Sequence, residues 1–416
     1  MDFFNYKNNE LYAEDLAVTD LSDQYGSPLY IYSKATLVRH MNAFKEALAK
    51  KRHLICYAVK ANSSLSILAL MASLGAGFDV VSEGELRRVI KAGGDPKKVV
   101  FSGVGKTAHE IAFALEQGID CFNIESVPEI NAISSVAKSL GKKARVSVRV
   151  NPNVDAKTHP SISTGLKSNK FGIAYDEALA VYRQMAADPN LEICGIDCHI
   201  GSQMTSGAPI LEATERLLDL YKDLTECGIN IDHIDIGGGL GVTYGDETPP
   251  SPYEYMSAVI NRLKDLDISI YVEPGRAMVA NAGILVTKAL YLKKGSVKNF
   301  CIVDAGMNDL IRPALYNSWM NIVEVKKHQD AKVDLYDVVG PVCESDDFLG
   351  KERKLAVSAG EYLAVRGAGA YGSSMSSNYN SRLLCAEILV DKNKSYVIRK
   401  RQDFSQLWEN ESIAGL

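Results

Sequence analysis

The 416-residue chain is long enough for two ordinary domains, and its 46% hydrophobic and 23% charged residues are typical of a globular protein in water. A formal net charge of −5 gives no basic surplus, so we expect no nucleic-acid partner. Residues 1–15 lack the basic start and apolar core of a signal peptide, and the most apolar run, near 67–78, is too short to cross a membrane.

The cysteines show no CxxC pair and no other zinc-binding spacing. They stand at positions 56, 121, 194, 198, 227, 301, 343 and 385. Most lie in strand-like or helical runs, which favours small buried side chains. We therefore expect a cytoplasmic protein with reduced thiols, without a metal and without a membrane partner.

Short apolar runs alternate with helix-like spacers through the first two thirds of the chain. The runs are 55–59, 78–81, 99–101, 122–124, 146–150, 195–199, 233–236 and 269–272. The spacers between them are 64–74, 83–92, 108–116, 127–140, 175–187, 210–226 and 253–266. Eight such alternations predict an α/β fold, a TIM-type (β/α)8 barrel, which we place at residues 33–276.

After residue 276 the pattern changes to short β-branched runs separated by turn signals. They lie at 284–287, 300–303, 333–339, 354–357, 362–364, 384–390 and 395–398. Runs of this kind predict a second, antiparallel β domain at residues 277–416.

The first strand-like run of the barrel ends in Lys60 and is followed by Asn62-Ser63-Ser64, a pattern that begins helices. A lysine where a buried strand opens into a cleft is partly desolvated, which lowers its pKa and favours the neutral amine. Such an amine can form a Schiff base with a carbonyl or with pyridoxal phosphate (PLP). The alternative is a lysine that reaches the surface at a strand end.

Two later strand-like runs end in residues that would complete a PLP site. Residues 233–236 run into Gly237-Gly238-Gly239-Leu240-Gly241, and glycines after a strand let backbone N–H groups approach a phosphate. Residues 269–272 run into Glu273, whose carboxylate can keep a pyridine nitrogen protonated. With Lys60, these residues would supply a phosphate cradle, a partner for the pyridine nitrogen and a covalent anchor.

Six motifs carry a resemblance to a known family. In chain order they are YAVKAN (57–62), HIGSQ (199–203), GGGLG (237–241), EPGR (273–276), CESDDF (343–348) and GAYG (369–372). In this order they resemble the fold-type III PLP-dependent decarboxylases, and within that group the branch that acts on diaminopimelate. The resemblance covers nearly the whole chain. It implies PLP as cofactor, a contribution of residues 1–32 to the β domain, and decarboxylation of meso-2,6-diaminopimelate to L-lysine and CO2.

The resemblance also implies roles for residues of the barrel. Lys60 would carry the cofactor, Glu273 would face its pyridine nitrogen and His199 would stack on its ring. The other cofactor-binding positions are Asp79, Arg149, Ser202, Gly238, Gly239, Gly275, Arg276 and, from the β domain, Tyr371. Asp79 and Arg149 lie at strand ends facing the same mouth, although either could be half of a structural ion pair.

The substrate side is expected to involve both predicted domains. Arg276 and Arg312 suit a distal carboxylate, because guanidinium binds carboxylate with paired hydrogen bonds. Glu344 would pair with a distal ammonium. Two further contacts are Tyr316 and Tyr371, and by resemblance the thiol of Cys343 would return a proton to the reacting carbon.

Other functions remain open at this point. A basic amino-acid decarboxylase of the same fold type typically has an acidic distal site without these arginines, and a racemase would need a second acid/base. A non-enzymatic PLP carrier lacks a second domain, which the residues after Arg276 disfavour. The resemblance implies a homodimer with shared active sites. One departure is Leu383-Leu384, where relatives usually have Pro-Arg.

Overall fold

The computed structural model describes residues 2–156, 158, 164–165, 169–328 and 332–415. The chain forms two compact units. The β unit comprises Met1–Arg39, Tyr244–Asp246 and Val279–Leu416, and the barrel unit comprises His40–Thr243 and Glu247–Met278.

In chain order, the strands are β1 (Phe4–Lys7), β2 (Glu10–Ala13), β3 (Leu16–Ala17), β4 (Leu29–Ser33), β5 (His53–Ala58), β6 (Gly77–Val80), β7 (Val99–Phe101), β8 (Cys121–Ile124), β9 (Ala144–Asn151), β10 (Ile173–Ala174), β11 (Leu191–Asp197), β12 (His233–Asp235), β13 (Ser269–Val272), β14 (Gly283–Lys293), β15 (Asn299–Val303), β16 (Ile322–Glu324), β17 (Asp334–Val339), β18 (Phe348–Leu355), β19 (Tyr362–Val365), β20 (Ala386–Asp391) and β21 (Lys394–Arg399).

In the same order, the helices are α1 (Val18–Tyr25), α2 (Lys34–Leu48), α3 (Leu65–Ser73), α4 (Glu83–Lys91), α5 (Ala108–Gln117), α6 (Val127–Ser139), α7 (Tyr175–Ala186), α8 (Ala208–Glu226), α9 (Pro252–Leu263), α10 (Arg276–Val279) and α11 (Arg312–Tyr316). Among the described residues, no helix has the length and apolar character needed to cross a membrane.

Eight parallel strands of the barrel unit pair in the ring β5-β6-β7-β8-β9-β11-β12-β13, which closes where β13 pairs with β5. The short strand β10 adds to β9 as a ninth. Helices α3 to α9 alternate with these strands along the chain. The predicted (β/α)8 barrel is therefore confirmed, and its strands present their carboxyl ends at one face.

Local sequence explains where several barrel helices begin. The side chain of Thr107 accepts from the backbone of Glu110, whose carboxylate reaches back to Thr107, so a capping box begins α5. Ser251 and Glu254 form the same arrangement before α9. Ser64 takes the predicted N-cap position of α3 without a side-chain bond of its own, and its backbone N–H donates to Asn62 instead.

The β unit is built on a second sheet, in the order β18-β17-β15-β14-β4-β20-β21, with β19 beside β14 and β16 beside β19. Most pairs are antiparallel, which confirms the predicted second domain class. Two pairs differ, because β15–β17 and β4–β20 are parallel. The amino-terminal strand β4 thus lies inside a sheet made mostly from the carboxyl-terminal third of the chain. Its Leu29 and Ile31 belong to a buried core with Ile284, Val286 and Ile388.

Candidate active site

Lys60 follows β5 in a 3-10 turn, Val59–Ala61, and its amine is held by a carboxylate. Its Nζ lies 2.6 Å from Oδ2 of Asp79, and Asp79 pairs in register with Ala58 on the neighbouring strand. The Asp79 side chain is fully buried, whereas that of Lys60 is 38% exposed. The lysine therefore combines access to the barrel mouth with a fixed anionic partner.

A cluster of buried acids surrounds the end of β13. Acceptor oxygens of Asp197, Asp235 and Glu273 all lie within 4.8 Å of one another, and all three residues are buried. Burial, followed by the charges of Asp79 and Asp235, raises the pKa of the Glu273 carboxyl well above its usual range. Burial also raises the pKa of Asp235 to about 7. A cation or a protonated ring nitrogen among these acids would favour their ionised form, so the cluster is suited to bind one.

Among the described residues, Asp79, Asp197 and Asp235 each retain one buried carboxylate oxygen without a hydrogen-bond partner. Glu273 accepts from the Asn123 side-chain amide at 3.4 Å, and the same amide donates to Ser102 at 3.1 Å. Buried carboxylates that lack partners are costly, which points to a cationic group as the intended partner of this cluster.

His199 follows β11 and is oriented by the glycine-rich loop. The backbone N–H of Gly238 donates to its Nδ1 at 3.1 Å, so the ring carries its proton on Nε2. Burial, followed by the charge of Arg149, lowers the pKa of His199 well below its usual value. The ring is therefore neutral and held in one orientation, as a stacking partner for a flat ligand would require.

The loop after β12 needs glycine at positions 237, 238 and 239. Gly237 and Gly239 have φ angles of +66° and +102°, which favour residues without a Cβ. A Cβ on Gly238 would lie 2.3 Å from the carbonyl oxygen of Glu273. Gly239 accepts from Met204 N at 2.9 Å, which ties this loop to the HIGSQ segment. The packed backbone leaves a cradle of the kind that binds phosphate.

Ser202 and Arg276 meet beside this loop. The Nε of Arg276 donates to the hydroxyl of Ser202 at 3.2 Å, and Arg276 is only 5% exposed. Gly275 directly precedes Arg276, and Pro274 O accepts from Ala58 N at 3.2 Å, which joins the ends of β13 and β5. The predicted residues of four separate motifs are thus brought to one face of the barrel.

Arg149 forms a buried ion pair with Glu125, at 2.9 Å between Nη1 and Oε1. Glu125 also accepts from the backbone of Gly103 at 3.0 Å and of Gly172 at 2.9 Å. The guanidinium lies 4.7 Å from the ring centroid of Phe171. These contacts fix three loops at the barrel mouth and match the ion-pair alternative for Arg149, while its part in cofactor binding stays a prediction.

Replacing Arg149 with methionine should lower the free energy of unfolding by about 3–5 kcal/mol, because Glu125 would stay buried without its partner. Urea unfolding of the cofactor-free proteins measures this. Arg52→Met in the same unit is the matched control, since Arg52 pairs at 2.8 Å with Asp267 and both side chains are exposed. Its expected loss is within about 1 kcal/mol. Equal losses of unfolding free energy in the two variants would contradict the expectation that the buried ion pair stabilises the fold more than an exposed one.

The remaining predicted residues belong to the β unit. Arg312 begins α11, is 6% exposed, and places its guanidinium 4.7 Å from the ring centroid of Tyr244. Its Nη1 lies 3.3 Å from the sulfur of Met320. Tyr316 ends the same helix, four residues later, and therefore projects from the same side. Tyr371 has a φ of +54°, an unusual value for a tyrosine.

Cys343 and Glu344 are exposed and are held by the segment that precedes Arg382. The backbone N–H of Cys343 donates to Asn380 Oδ1 at 2.9 Å, and the Tyr379 hydroxyl forms a short hydrogen bond with the Glu344 carboxylate. In the sequence, this segment stands out only because it leads into Leu383-Leu384. Four further polar residues of the site were not predicted from the sequence: Asn123, Asp197, Asp235 and Glu125. The only sequence feature that marks them is that each is a polar residue inside or next to an apolar run.

Comparison with known proteins places this geometry in a family. Residues 34–280 match the sequence model of the pyridoxal-dependent decarboxylase, pyridoxal binding domain. Diaminopimelate decarboxylase of Haemophilus influenzae is 56% identical over 413 residues, which cover 99% of this chain and 100% of that protein.

Solved structures agree with this comparison. Diaminopimelate decarboxylase from Helicobacter pylori, complexed with L-lysine, is 45% identical with a TM-score of 0.91, over 94% of this chain and 98% of that one. The enzyme from M. jannaschii, in co-complex with L-lysine, is 36% identical with a TM-score of 0.95, over 99% and 98%. The resemblance inferred from six motifs is therefore confirmed: the chain belongs to the diaminopimelate decarboxylase family of pyridoxal-dependent decarboxylases.

Proposed function

We propose that this chain decarboxylates meso-2,6-diaminopimelate to L-lysine and CO2 with PLP bound at the barrel mouth. The observation that carries the proposal is the meeting of a lysine amine, a buried acid cluster and a glycine cradle at the carboxyl ends of neighbouring strands. The full-length likeness to diaminopimelate decarboxylases supports this choice of substrate.

The residues present fit PLP in charge and in shape. The acid cluster around Glu273 has unpartnered buried oxygens and would accept a protonated pyridine nitrogen. The loop at Gly238 and Gly239, with Ser202 and Arg276, would hold the phosphate, and Lys60 would anchor the aldehyde carbon. When bound, PLP draws electrons from the substrate α-carbon so that the bond to the leaving carboxylate can break.

The protein's own groups would orient the substrate and move its protons. The neutral ring of His199 would stack on the cofactor, since its Nδ1 is already engaged by Gly238. Arg312 and Arg276 would bind the carboxylate that is retained, with Tyr316 and Tyr371 beside it, and Glu344 would bind the distal ammonium. The Cys343 thiol would deliver a proton to the α-carbon after CO2 has left.

Product analysis tests the substrate assignment. The holoenzyme is incubated side by side with meso-diaminopimelate, ornithine, arginine and lysine, and the products are identified by mass spectrometry. We expect lysine and CO2 from meso-diaminopimelate at a far higher kcat/KM than any other amine product. Faster release of CO2 from ornithine, arginine or lysine would favour a basic amino-acid decarboxylase. Racemised substrate without CO2 would indicate a racemase, and bound PLP without turnover would indicate a carrier.

We also propose a homodimer in which each active site takes Lys60 from one subunit and Cys343 and Glu344 from the other. The support is the family relationship and the division of these residues between two units of the chain. All eight cysteines are free thiols, which supports work in a reducing compartment such as the cytoplasm.

Mixing two inactive variants, Lys60→Ala and Glu344→Ala, should restore activity once subunits exchange. Half of the mixed population is heterodimer and each heterodimer has one wild-type site of two, so roughly a quarter of full activity is expected. Native mass spectrometry confirms exchange. If heterodimers form and activity stays at the level of the parent variants, each site is complete within one chain.

A further inference from the structure

A second cluster of reactive side chains lies inside the barrel, away from the carboxyl ends that carry Lys60 and Glu273. Cys121 is the first residue of β8, Cys194 is the fourth of β11 and His233 is the first of β12. One ligand atom from each lies within 4.8 Å of the other two, and all three residues are buried. The sequence separates them by up to 112 positions, so no motif spacing could reveal the group.

The ring of His233 is tightly packed but has no hydrogen-bond partner among the described residues. Its ring stacks on Tyr271 with centroids 4.0 Å apart, which covers a face of the ring. A Cβ on Gly195, its neighbour in register, would lie 2.3 Å from Nε2, so the ring fits only beside glycine. Neither ring nitrogen has a hydrogen-bond partner among the described residues, although the ring is fully buried. A buried imidazole with two unpartnered nitrogens calls for an explanation.

The two thiols beside it lie close to each other, and each also has a polar neighbour. Cys121 Sγ lies 3.8 Å from Asn123 Oδ1, and Cys194 Sγ lies 3.3 Å from the carbonyl oxygen of Val146. The surrounding core adds Cys56, Val100, Leu54 and Tyr271. A neutral imidazole has one nitrogen with a free lone pair, and both ring nitrogens of His233 are unpartnered among the described residues, so either tautomer can present a lone pair to a metal ion.

We propose that Cys121, Cys194 and His233 form a binding site for a thiophilic dication, with Zn²⁺ as the expected ion. Two thiolates and one dication give a neutral group, which an apolar interior tolerates far better than an isolated charge. Each thiol gives up its proton to solvent on binding, so two protons leave for each ion bound.

The distances allow such an ion after a small contraction. Three atoms within 4.8 Å of one another leave a point no more than about 2.8 Å from each. Zinc bonds are about 2.3 Å to sulfur and about 2.0–2.1 Å to nitrogen, so shifts of roughly 0.5 Å at each sulfur and 0.8 Å at the nitrogen suffice.

Metal analysis of the full-length holoenzyme tests the site. Untagged protein is produced with zinc in the medium, washed with a chelator and measured by inductively coupled plasma mass spectrometry. We expect about one zinc per chain in the wild type and in Cys56→Ala, the matched control from the same core layer. Cys121→Ala and Cys194→Ala should lower the zinc content about tenfold or more, since even outer-shell partners affect affinity on that scale.

X-ray absorption at the zinc edge of the wild-type protein tests the proposed ligands directly, even if a variant fails to fold. Two sulfur neighbours at about 2.3 Å and nitrogen at about 2.0–2.1 Å are expected, and PLP does not contribute to this signal. Zinc well below one per chain in wild-type protein folded with zinc would overturn the proposal. So would a shell of nitrogen and oxygen alone, or a Cys121–Cys194 disulfide found by peptide mass spectrometry. None of these outcomes bears on the decarboxylase activity.

Discussion

Replacing Lys60 with alanine should lower kcat/KM for meso-diaminopimelate by roughly 10³- to 10⁶-fold, the scale on which enzymes lose a reacting nucleophile or proton-transfer group. The reason is that the amine would both anchor the cofactor and exchange it with the substrate. Lys60→Arg is the matched variant, because it keeps the ion pair with Asp79 but cannot form the covalent bond. We expect it to be as inactive as the alanine variant.

Borohydride labelling is an independent test of the role predicted for Lys60. Reduction of the PLP-loaded wild type should fix the cofactor on the peptide that contains Lys60 and abolish turnover. Label on another lysine would contradict the assignment. Activity retained by Lys60→Arg would show that the lysine acts through its charge alone.

The second large effect is expected at the substrate's distal end. Arg312→Ala and Glu344→Ala should each lower kcat/KM for meso-diaminopimelate by about 30- to several-thousand-fold, because removing one partner of a desolvated charge pair costs roughly 2–5 kcal/mol. The affinity for PLP should change far less, which fluorescence titration of the cofactor measures.

Three variants serve as controls for this effect. Arg312→Lys keeps the charge but loses the paired hydrogen bonds, so an intermediate loss is expected. Glu344→Gln keeps the shape without the charge and should resemble the alanine variant. Glu352→Ala changes an exposed acid of the same unit and should leave kcat/KM unchanged. Wild-type kcat/KM in both alanine variants would remove Arg312 and Glu344 from the substrate site.

The barrel could be predicted from sequence because its strands are short, apolar and separated by helices of regular period. The segments Val99–Phe101 and Ser269–Val272 have the predicted bounds, and the others differ by a few residues at their ends. The strands of the β unit were harder to predict from the sequence. Its strand β18 begins at Phe348 rather than 354, because Gly350 and the charged residues after it do not resemble a strand. A strand of three residues, β16, gives no detectable pattern.

The residues of the candidate site also differ in how well the sequence alone predicts them. Lys60 and Gly237–Gly239 could be predicted from their immediate sequence. Each follows a strand, Lys60 as a charged residue in an apolar stretch and the glycines as a run of residues without side chains. Asp197 and Asp235 could not be predicted in this way, because each is the last residue of a strand that also contains another polar residue, Glu192 in β11 and His233 in β12, so neither stands out in the sequence. Only the closure of the sheet brings them to Glu273, and closure depends on pairing between segments far apart in the chain.

The position of β4 has a consequence for biosynthesis. This strand leaves the ribosome early, yet its two sheet neighbours are β14, about 250 residues later, and β20, which is later still. Chain elongation completes the barrel unit by Met278, so that unit can fold while the β unit still lacks both partners of β4. The nascent chain therefore carries an apolar strand, Leu29–Ser33, with two open edges through most of translation. β14 can cover one edge once residue 293 has emerged, whereas the other edge stays open until β20 is complete at Asp391, so we expect the β4–β20 pair to be among the last contacts formed during synthesis.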